Sequence, residues 1–148
     1  MKVAEKITLS FKKKERLHHR SLIEGLYREG KSFYEFPFRV AWRRLSAAEL
    51  EKNFRNRVPE DVDKVQFMTT VPKKKRRRAV DRVLMRRRIK EAYRLNKEAL
   101  KVKVAEIPDH GTLSLGIVYI HDKNMDYSAV EEKIKIIMWK LQRKLFPQ

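Results

Sequence analysis

The strongest constraint on this chain is a stretch of positive charge that also has the periodicity of a helix. Residues 73–103 hold 15 lysines and arginines against three acids, a net of +12 out of +18 for the 148-residue chain. Because like charges repel, this segment cannot be buried in a core along its whole surface. Its charge favours an anionic polymer as its partner. The sequence therefore predicts a nucleic-acid-binding protein.

The basic segment begins as a loop and continues as a helix from Ala79 to about 100–104. At about 100° per residue, one arc of this helix is mostly apolar and is expected to pack on a sheet; it contains Met85, Ile89, Ala92, Tyr93, Asn96 and Leu100. The far side is expected to carry Arg87, Lys90, Arg94 and Lys97, with Arg86 and Arg88 at the two edges. Such a helix presents guanidinium groups, which bind phosphate through two parallel hydrogen bonds.

Size and composition place the chain in a broad class. Its 148 residues and 42% hydrophobic content suit one folded domain. The absence of cysteine excludes disulfides and zinc–thiolate sites and is typical of a reducing compartment. No apolar run approaches the roughly 20 residues that span a bilayer, and the first 20 residues lack a secretion signal. We therefore expect a cytoplasmic protein without a membrane partner.

Hydrophobic periodicity predicts the element order αββαβα. The elements are a helix at 21–29, a strand at 31–45, a strand at 65–71, the basic helix, a buried strand at 112–120 and a helix at 128–145. Residues 1–15 are interpreted as a basic flexible arm and 16–148 as a single RNA-binding αβ domain. An excursion at 46–64, with a helical portion at 47–54, separates the first two strands.

Alternation along the first strand predicts its two faces. The face interpreted as core contains Tyr34, Phe36, Phe38, Val40 and Trp42. The opposite face contains Phe33, Glu35, Arg39, Ala41 and Arg43, a mixture that suits a polar surface. Pro37 has no N–H to donate to a sheet, which argues against a central position there.

The chain offers little material for catalysis of its own. His18 and His19 lack metal-ligand spacing. His110, in a turn, and His121, at the end of a strand, are interpreted as surface histidines. The acids Glu60, Asp61 and Asp63 are interpreted as a solubilising cluster, with magnesium attraction as the alternative. No glycine-rich phosphate loop and no nucleophile–base motif is present, so a self-sufficient nuclease is disfavoured.

Several of these segments together resemble the protein component of bacterial ribonuclease P, a small basic subunit that accompanies a catalytic RNA. The resemblance covers nearly the whole chain except the arm and the excursion. It begins at Arg16-Leu17, continues to Tyr27 and Gly30-Lys31-Ser32, and resumes over 73–94. There, paired lysines precede Ala-Val and closely spaced arginines, and the stretch ends in Lys90-Glu91-Ala92-Tyr93-Arg94.

The resemblance implies both a fold and a function. The fold is α+β, a sheet flanked by helices with a left-handed βαβ crossover that carries the basic helix, as in the second domain of ribosomal protein S5. The RNA subunit performs the phosphodiester chemistry with Mg²⁺, so no catalytic side chain and no protein-bound cofactor or metal is expected. The partners are the catalytic RNA and the 5′ leader of precursor tRNA, with no small-molecule substrate.

The charge run and the resemblance together predict two groups of site residues. The RNA-binding group is Lys73, Lys74, Lys75, Arg76, Arg77, Arg78, Arg82, Arg86, Arg87, Arg88, Lys90 and Arg94. The leader-binding cleft is Ile23, Tyr27, Arg39, Ala41 and Arg43. For Ile23 and Tyr27, ordinary packing of a helix on a sheet is the alternative interpretation.

Two positions depart from the family pattern. Arg82-Val83-Leu84 stands where the family has Arg-Asn-Arg, and Val83 and Leu84 project to the charged side of the helix. Ile23 replaces an aromatic residue common in the cleft, so Tyr27 is expected to carry more of any base stacking. A ribosomal or ribosome-assembly RNA-binding protein is the alternative to the ribonuclease P reading. Membrane-surface attachment is disfavoured because the apolar face of the basic helix is needed for the core.

Overall fold

A four-stranded mixed sheet forms the centre of the molecule. The structure is a computed structural model and describes residues 10–146. The elements are α1 (Arg20–Glu29), β1 (Lys31–Glu35), β2 (Phe38–Ser46), α2 (Ala47–Asn53), β3 (Val65–Thr70), α3 (Ala79–Asn96), α4 (Glu98–Ala105), β4 (His110–Tyr119) and α5 (Tyr127–Leu145). The strand order is β1-β2-β4-β3; β3 and β4 are parallel, and the other neighbours are antiparallel. The α+β class, with a sheet flanked by helices, is confirmed.

The two faces of the sheet are covered differently. Face A, which packs against α3, α4 and α5, carries the larger core, with Phe38, Val40, Trp42, Val65, Phe67, Leu113, Leu115, Ile117 and Tyr119 from the strands. Face B carries a smaller cluster that includes Leu17, Leu22, Leu26, Ala41, Leu45 and Leu50. The strand predicted to be most buried is the central β4, which has neighbours on both sides and helices over both faces.

The segment 31–45 forms a hairpin rather than the single strand that its aromatic run predicts. The chain reverses at Phe36-Pro37, and Glu35 pairs with Phe38 across β1 and β2. A two-residue turn changes which residues share a face, because directly paired residues point to the same side. Tyr34 pairs with Arg39, so its side chain points away from the face A core. It is 64% exposed.

The predicted core face of this segment is thus correct for three of its five residues. Phe38, Val40 and Trp42 are buried, whereas Tyr34 and Phe36 are exposed. Phe33, predicted to lie on the polar face, packs partly against the face A core.

The crossover from β3 to β4 runs through two helices. The basic helix was predicted to continue to about 100–104, but α3 ends at Asn96 and α4 begins at Glu98. Met85, Ile89, Ala92, Tyr93 and Leu100 are fully buried, so the predicted apolar arc is confirmed. The left-handedness of the crossover stays an expectation from the family resemblance.

The last residues of the predicted arm pack against the domain. Residues 1–9 lie outside the described part, but Phe11 packs edge-on against Phe67 and Tyr93, with ring centroids 6.1 and 5.9 Å away. Glu15 is 2% exposed and lies at the end of a single 3-10 turn, Lys13–Glu15. Residues 10–15 therefore belong structurally to the domain.

The excursion at 46–64 lies against face B. Its helical portion, predicted at 47–54, is α2, which begins with a capping box between Ser46 and Glu49. Leu50 is buried in the face B cluster, and Phe54, Val58 and Val62 pack against that cluster. The excursion therefore covers part of this face.

Candidate nucleic-acid interface

The outward face of α3 presents cations because the inward face is held by aromatic packing. Tyr93 stacks on Phe67 of β3, with ring centroids 4.0 Å apart and planes 7° apart. Ile89 and Met85, one and two turns earlier, are buried on the same face. This packing leaves Arg87 and Lys90 exposed, and neither forms an ion pair with another described residue.

The basic loop, residues 73–78, leads from β3 into α3. Pro72 accepts hydrogen bonds from the backbone N–H groups of Lys75 and Arg76, which make a turn. Lys73, Lys74, Lys75, Arg77 and Arg78 are exposed. The loop, Asp81 and Asp122 line a shallow concavity of about 540 Å³.

Two of the predicted RNA contacts instead hold this loop in place. Arg76 pairs with Asp81 at 3.0 Å and donates a hydrogen bond to the Asp122 carbonyl. Arg82 donates to the carbonyls of Arg76 and Arg77 at 2.9 and 2.6 Å. A hydrogen bond from Asn124, together with the charges of Arg76 and Arg78, lowers the pKa of Asp81, which keeps it ionised.

The remaining arginines of α3 are also partly engaged. Arg88 donates to the Met125 carbonyl, and Arg94 forms a two-point ion pair with Glu91 at 2.6 and 3.0 Å. The hydrogen bond to Glu91 raises the pKa of Arg94 further. Arg86 is half-buried at one edge, as predicted. The candidate phosphate-binding surface therefore centres on the basic loop, Arg87 and Lys90.

Lys97 was predicted to lie on the outward side of the basic helix, and this prediction is wrong. Its side chain is 1% exposed because α3 ends at Asn96 and Lys97 turns under the chain. The Lys97 Nζ lies 2.5 Å from Glu15 Oε1, in the face A core. Lys101 adds a second cation 3.3 Å from the same oxygen.

The predicted cleft residues meet on face B, but only some of them are accessible. Tyr27 of α1 is half-exposed and lies over Gly116 of β4, where an added Cβ would be 2.9 Å from the tyrosine Oη. Burial raises the pKa of Tyr27, and the nearby charge of Arg39 opposes that effect. Arg39 is exposed and forms no ion pair within the described part of the chain.

The other cleft residues serve packing. Ala41 is 8% exposed and lies in the face B cluster beneath α1. Ile23 packs against that cluster, as the alternative interpretation expected. Arg43 pairs with Glu29 at 3.0 Å across buried Gly25, where a Cβ would be 2.0 Å from the guanidinium.

A histidine–aspartate cluster joins the excursion to the start of α1. His18 Nε2 and His19 Nε2 lie 3.0 and 2.8 Å from the two carboxylate oxygens of Asp61. Sequence spacing gave no sign of this contact, because Asp61 lies 42 residues away from His19. The hydrogen bond from His19 lowers the pKa of Asp61. These three side chains lie close enough to hold a metal ion.

His110 was predicted to be a surface histidine, and this prediction is wrong. It begins β4, is 7% exposed, and its Nε2 lies 2.8 Å from the Lys64 carbonyl. Arg44 Nε donates to its Nδ1 at 3.1 Å, which places the ring hydrogen on Nε2. Burial lowers the pKa of His110.

Comparison with known proteins identifies the family. The family model for ribonuclease P matches residues 11–142. The chain is 33% identical over 128 residues to the ribonuclease P protein component of Porphyromonas gingivalis strain W83, covering 86% of this chain and 83% of that protein. The chain belongs to the ribonuclease P protein family. Its function is that of a ribonuclease P protein component, in tRNA processing, with RNA binding as the family property.

Solved ribonuclease P proteins share the fold. The Thermotoga maritima protein matches with a TM-score of 0.59 at 21% identity, covering 85% of this chain and 96% of that one. The Staphylococcus aureus protein matches with a TM-score of 0.55 at 16% identity, covering 86% and 95%. Within residues 10–146, no helix is both long and apolar enough to cross a membrane.

This ribonuclease P protein has an apolar stripe on α3. Val83 and Leu84 are half-buried, and Val80, one turn earlier, is 62% exposed. None of the three belongs to either core cluster. Val83 and Leu84 therefore lie outside the core, as their helical projection predicted, and apolar groups interrupt the cationic side of α3.

Proposed function

We propose that the catalytic RNA of ribonuclease P binds to the basic loop and the outward face of α3. The observation that carries this proposal is the density of unpaired cations: Arg87 and Lys90 on α3, and five exposed lysines and arginines in the loop. Each phosphate that a cation neutralises releases counterions, so binding falls steeply with salt. Arg76 and Arg82 act here by holding the loop in shape.

The 5′ leader of precursor tRNA is proposed to lie along the open part of face B. Tyr27 offers a half-exposed ring on which a base can stack, worth about 1–3 kcal/mol per base. Arg39 offers a cation for the adjacent phosphate. Thr70, at the end of β3 on this face, is followed within three residues by the basic loop. One strand of RNA can therefore contact both surfaces.

The phosphodiester cleavage is proposed to be performed by the RNA subunit with Mg²⁺. This chain would lower the Mg²⁺ needed, because its cations neutralise phosphates that otherwise repel each other when substrate meets RNA. No side chain of this protein is assigned to the reacting atoms. The complex is proposed to work in the cytoplasm, where precursor tRNA is processed.

Reconstitution tests this proposal. The chain is added to the catalytic RNA of the same organism, and cleavage of precursor tRNA is followed at low Mg²⁺; we expect stimulation. The double variant Arg87→Ala, Lys90→Ala should weaken RNA binding and reduce the salt slope by about two. Lys52→Ala, which removes an exposed cation of α2, is the control. No stimulation, with tight binding to ribosomal RNA, would favour the ribosome-assembly alternative.

The cleft is tested separately. Tyr27→Ala should lower affinity for precursor tRNA with a leader by about tenfold, and Tyr27→Phe should retain it, because only the ring is needed for stacking. Affinity for mature tRNA, which lacks the leader, should be the same for both variants. An equal loss with and without the leader would contradict a cleft role for Tyr27.

A further inference from the structure

A second surface that combines aromatic rings with cations lies at the opposite edge of the sheet. The edge groove, a shallow depression of about 320 Å³ between β1 and α5, is lined by Phe33, Tyr34, Trp139, Lys140, Arg143 and Lys144. Because β1 and β3 are the two outer strands, roughly 14 Å of sheet separates this groove from β3 and the basic loop that follows it. No residue of α3 or of the basic loop lines it, so it is distinct from the proposed RNA-binding surface on α3.

The aromatic rings of the edge groove are unusually exposed. Trp139 is 58% exposed and Tyr34 is 64% exposed, although large aromatic side chains normally lie in a core. The exposure of Trp139 follows from the pattern of α5, whose opposite side, including Met138 and Leu141, is buried in the face A core. Trp139 therefore does not contribute to the folded core.

Two cations of the groove lie over aromatic rings that line it. The guanidinium of Arg143 is 5.1 Å from the Trp139 ring centre, and the Lys144 Nζ is 5.2 Å from that of Phe33. Neither cation forms an ion pair with a described residue. Glu35, at the end of β1, is hydrogen-bonded to Lys133 and to Lys140 of the groove. No carboxylate lines the groove, so its charge favours an anionic ligand.

We propose that the edge groove binds an unpaired segment of RNA, whose bases stack on Trp139 while Arg143 and Lys144 contact the phosphates. Stacking on exposed aromatic rings beside cations is the mode by which proteins bind single strands without reading their sequence. A duplex buries its base faces and offers only phosphates, so the groove is expected to prefer single strands. This inference does not depend on the proposed roles of α3 and face B.

Tryptophan fluorescence tests the groove directly, because the chain contains two tryptophans and Trp42 is 7% exposed. Oligouridylate should quench the emission of Trp139 in the full chain, and an RNA duplex of equal charge should quench it less. Trp139→Leu should weaken oligouridylate binding by about tenfold at fixed salt, and Trp139→Phe should restore it. Arg143→Ala with Lys144→Ala should lower the salt slope by about two.

Several outcomes would overturn the inference. Unquenched emission with bound oligouridylate would show that the single strand lies elsewhere. Equal affinity for the Leu and Phe variants would show that stacking plays no part. Stronger quenching by a polyglutamate peptide would assign the groove to an acidic protein partner instead. Stimulation of precursor tRNA cleavage is measured in parallel, so the groove and the α3 proposal can fail independently.

Discussion

At the scale of single residues, some charged and polar side chains are buried and stabilise the fold instead of contacting solvent. The Glu15–Lys97 pair is one example. Both side chains are almost fully buried, with 2% and 1% exposure, and the pair joins the N-terminal segment to the end of α3. Removing one partner of a buried pair leaves the other charge without compensation, which is strongly destabilising.

Glu15→Gln is therefore expected to lower the free energy of unfolding by about 3–5 kcal/mol. Urea denaturation followed by circular dichroism measures this loss. Glu51→Gln, at an exposed position of α2, is the matched control and should change stability by less than about 0.5 kcal/mol. Similar losses in the two variants would show that the buried pair contributes nothing beyond a surface charge.

His110 makes stability depend on pH. Its pKa in the folded protein is below the ordinary value of 6.5, so the unfolded chain takes up this proton first as pH falls. The contribution of neutral His110 is complete above about pH 6.5 and is lost as pH falls through the folded pKa. Protonation also places a hydrogen on Nδ1, which then opposes the donor Arg44 Nε.

We expect the thermal midpoint of the protein to fall between pH 7 and pH 5, and His110→Gln to reduce that fall. Thermal unfolding monitored at several pH values checks this expectation. A variant whose midpoint at pH 7 is lower but whose pH dependence is unchanged would show that His110 contributes packing alone.

At the scale of elements, α3 combines a buried face that anchors the helix with an outward side on which apolar residues interrupt the cations. Its buried face determines where the helix lies, whereas Val83 and Leu84 face outward and contribute little to the core. Polar and charged residues at these two positions should therefore leave the fold intact and add contacts to RNA phosphates.

Val83→Asn with Leu84→Arg is expected to tighten binding to the catalytic RNA and to raise the salt slope by about one, for the added arginine. A salt titration of binding measures both quantities. Val102→Arg, which adds the same charge at a half-exposed position of α4, is the control for net charge. Unchanged affinity for the double variant would reject a contact role for positions 83 and 84.

Sequence patterns predicted elements where one periodicity persists and missed features that depend on distant residues. The apolar arc through Met85, Ile89 and Tyr93 has one period over three turns, so the helix and its buried face follow from it. The hairpin was missed because the period-2 alternation of Tyr34, Phe36 and Phe38 continues through Phe36-Pro37. The contacts of Lys97 with Glu15, and of Asp61 with His18, join positions that local patterns cannot relate.

The predicted site residues also divide into those whose exposure follows from local periodicity and those whose role depends on distant residues. Exposure of Arg87 and Lys90 follows from helical geometry, because the opposite face is apolar. The full structural use of Arg76 could not be inferred, since one of its two partners, the Asp122 carbonyl, lies in a loop 46 residues later. Charge counts identify where cations are abundant, but they do not show which cations are already bonded.

At the scale of the whole molecule, +12 of the net charge of +18 falls within residues 73–103, where three acids face 15 lysines and arginines. Self-repulsion among these cations destabilises the compact state. Salt screens such repulsion over a Debye length of about 8 Å at about 0.15 M.

The thermal midpoint is therefore expected to rise when ionic strength is increased from low values to about 0.15 M. Differential scanning calorimetry across a series of NaCl concentrations, with the pH held constant, measures the change. A falling midpoint would show that attractive pairs such as Lys97–Glu15 outweigh the repulsion.

The excursion limits how RNA can lie on face B. Phe54, Val58 and Val62 cover the end of the face near Leu45, whereas the end near Arg39 and Thr70 is open. A polynucleotide that enters from the open end is therefore blocked by the excursion after a short distance. For a leader bound on face B as proposed, nucleotides beyond the first few should therefore add no further contacts to this face.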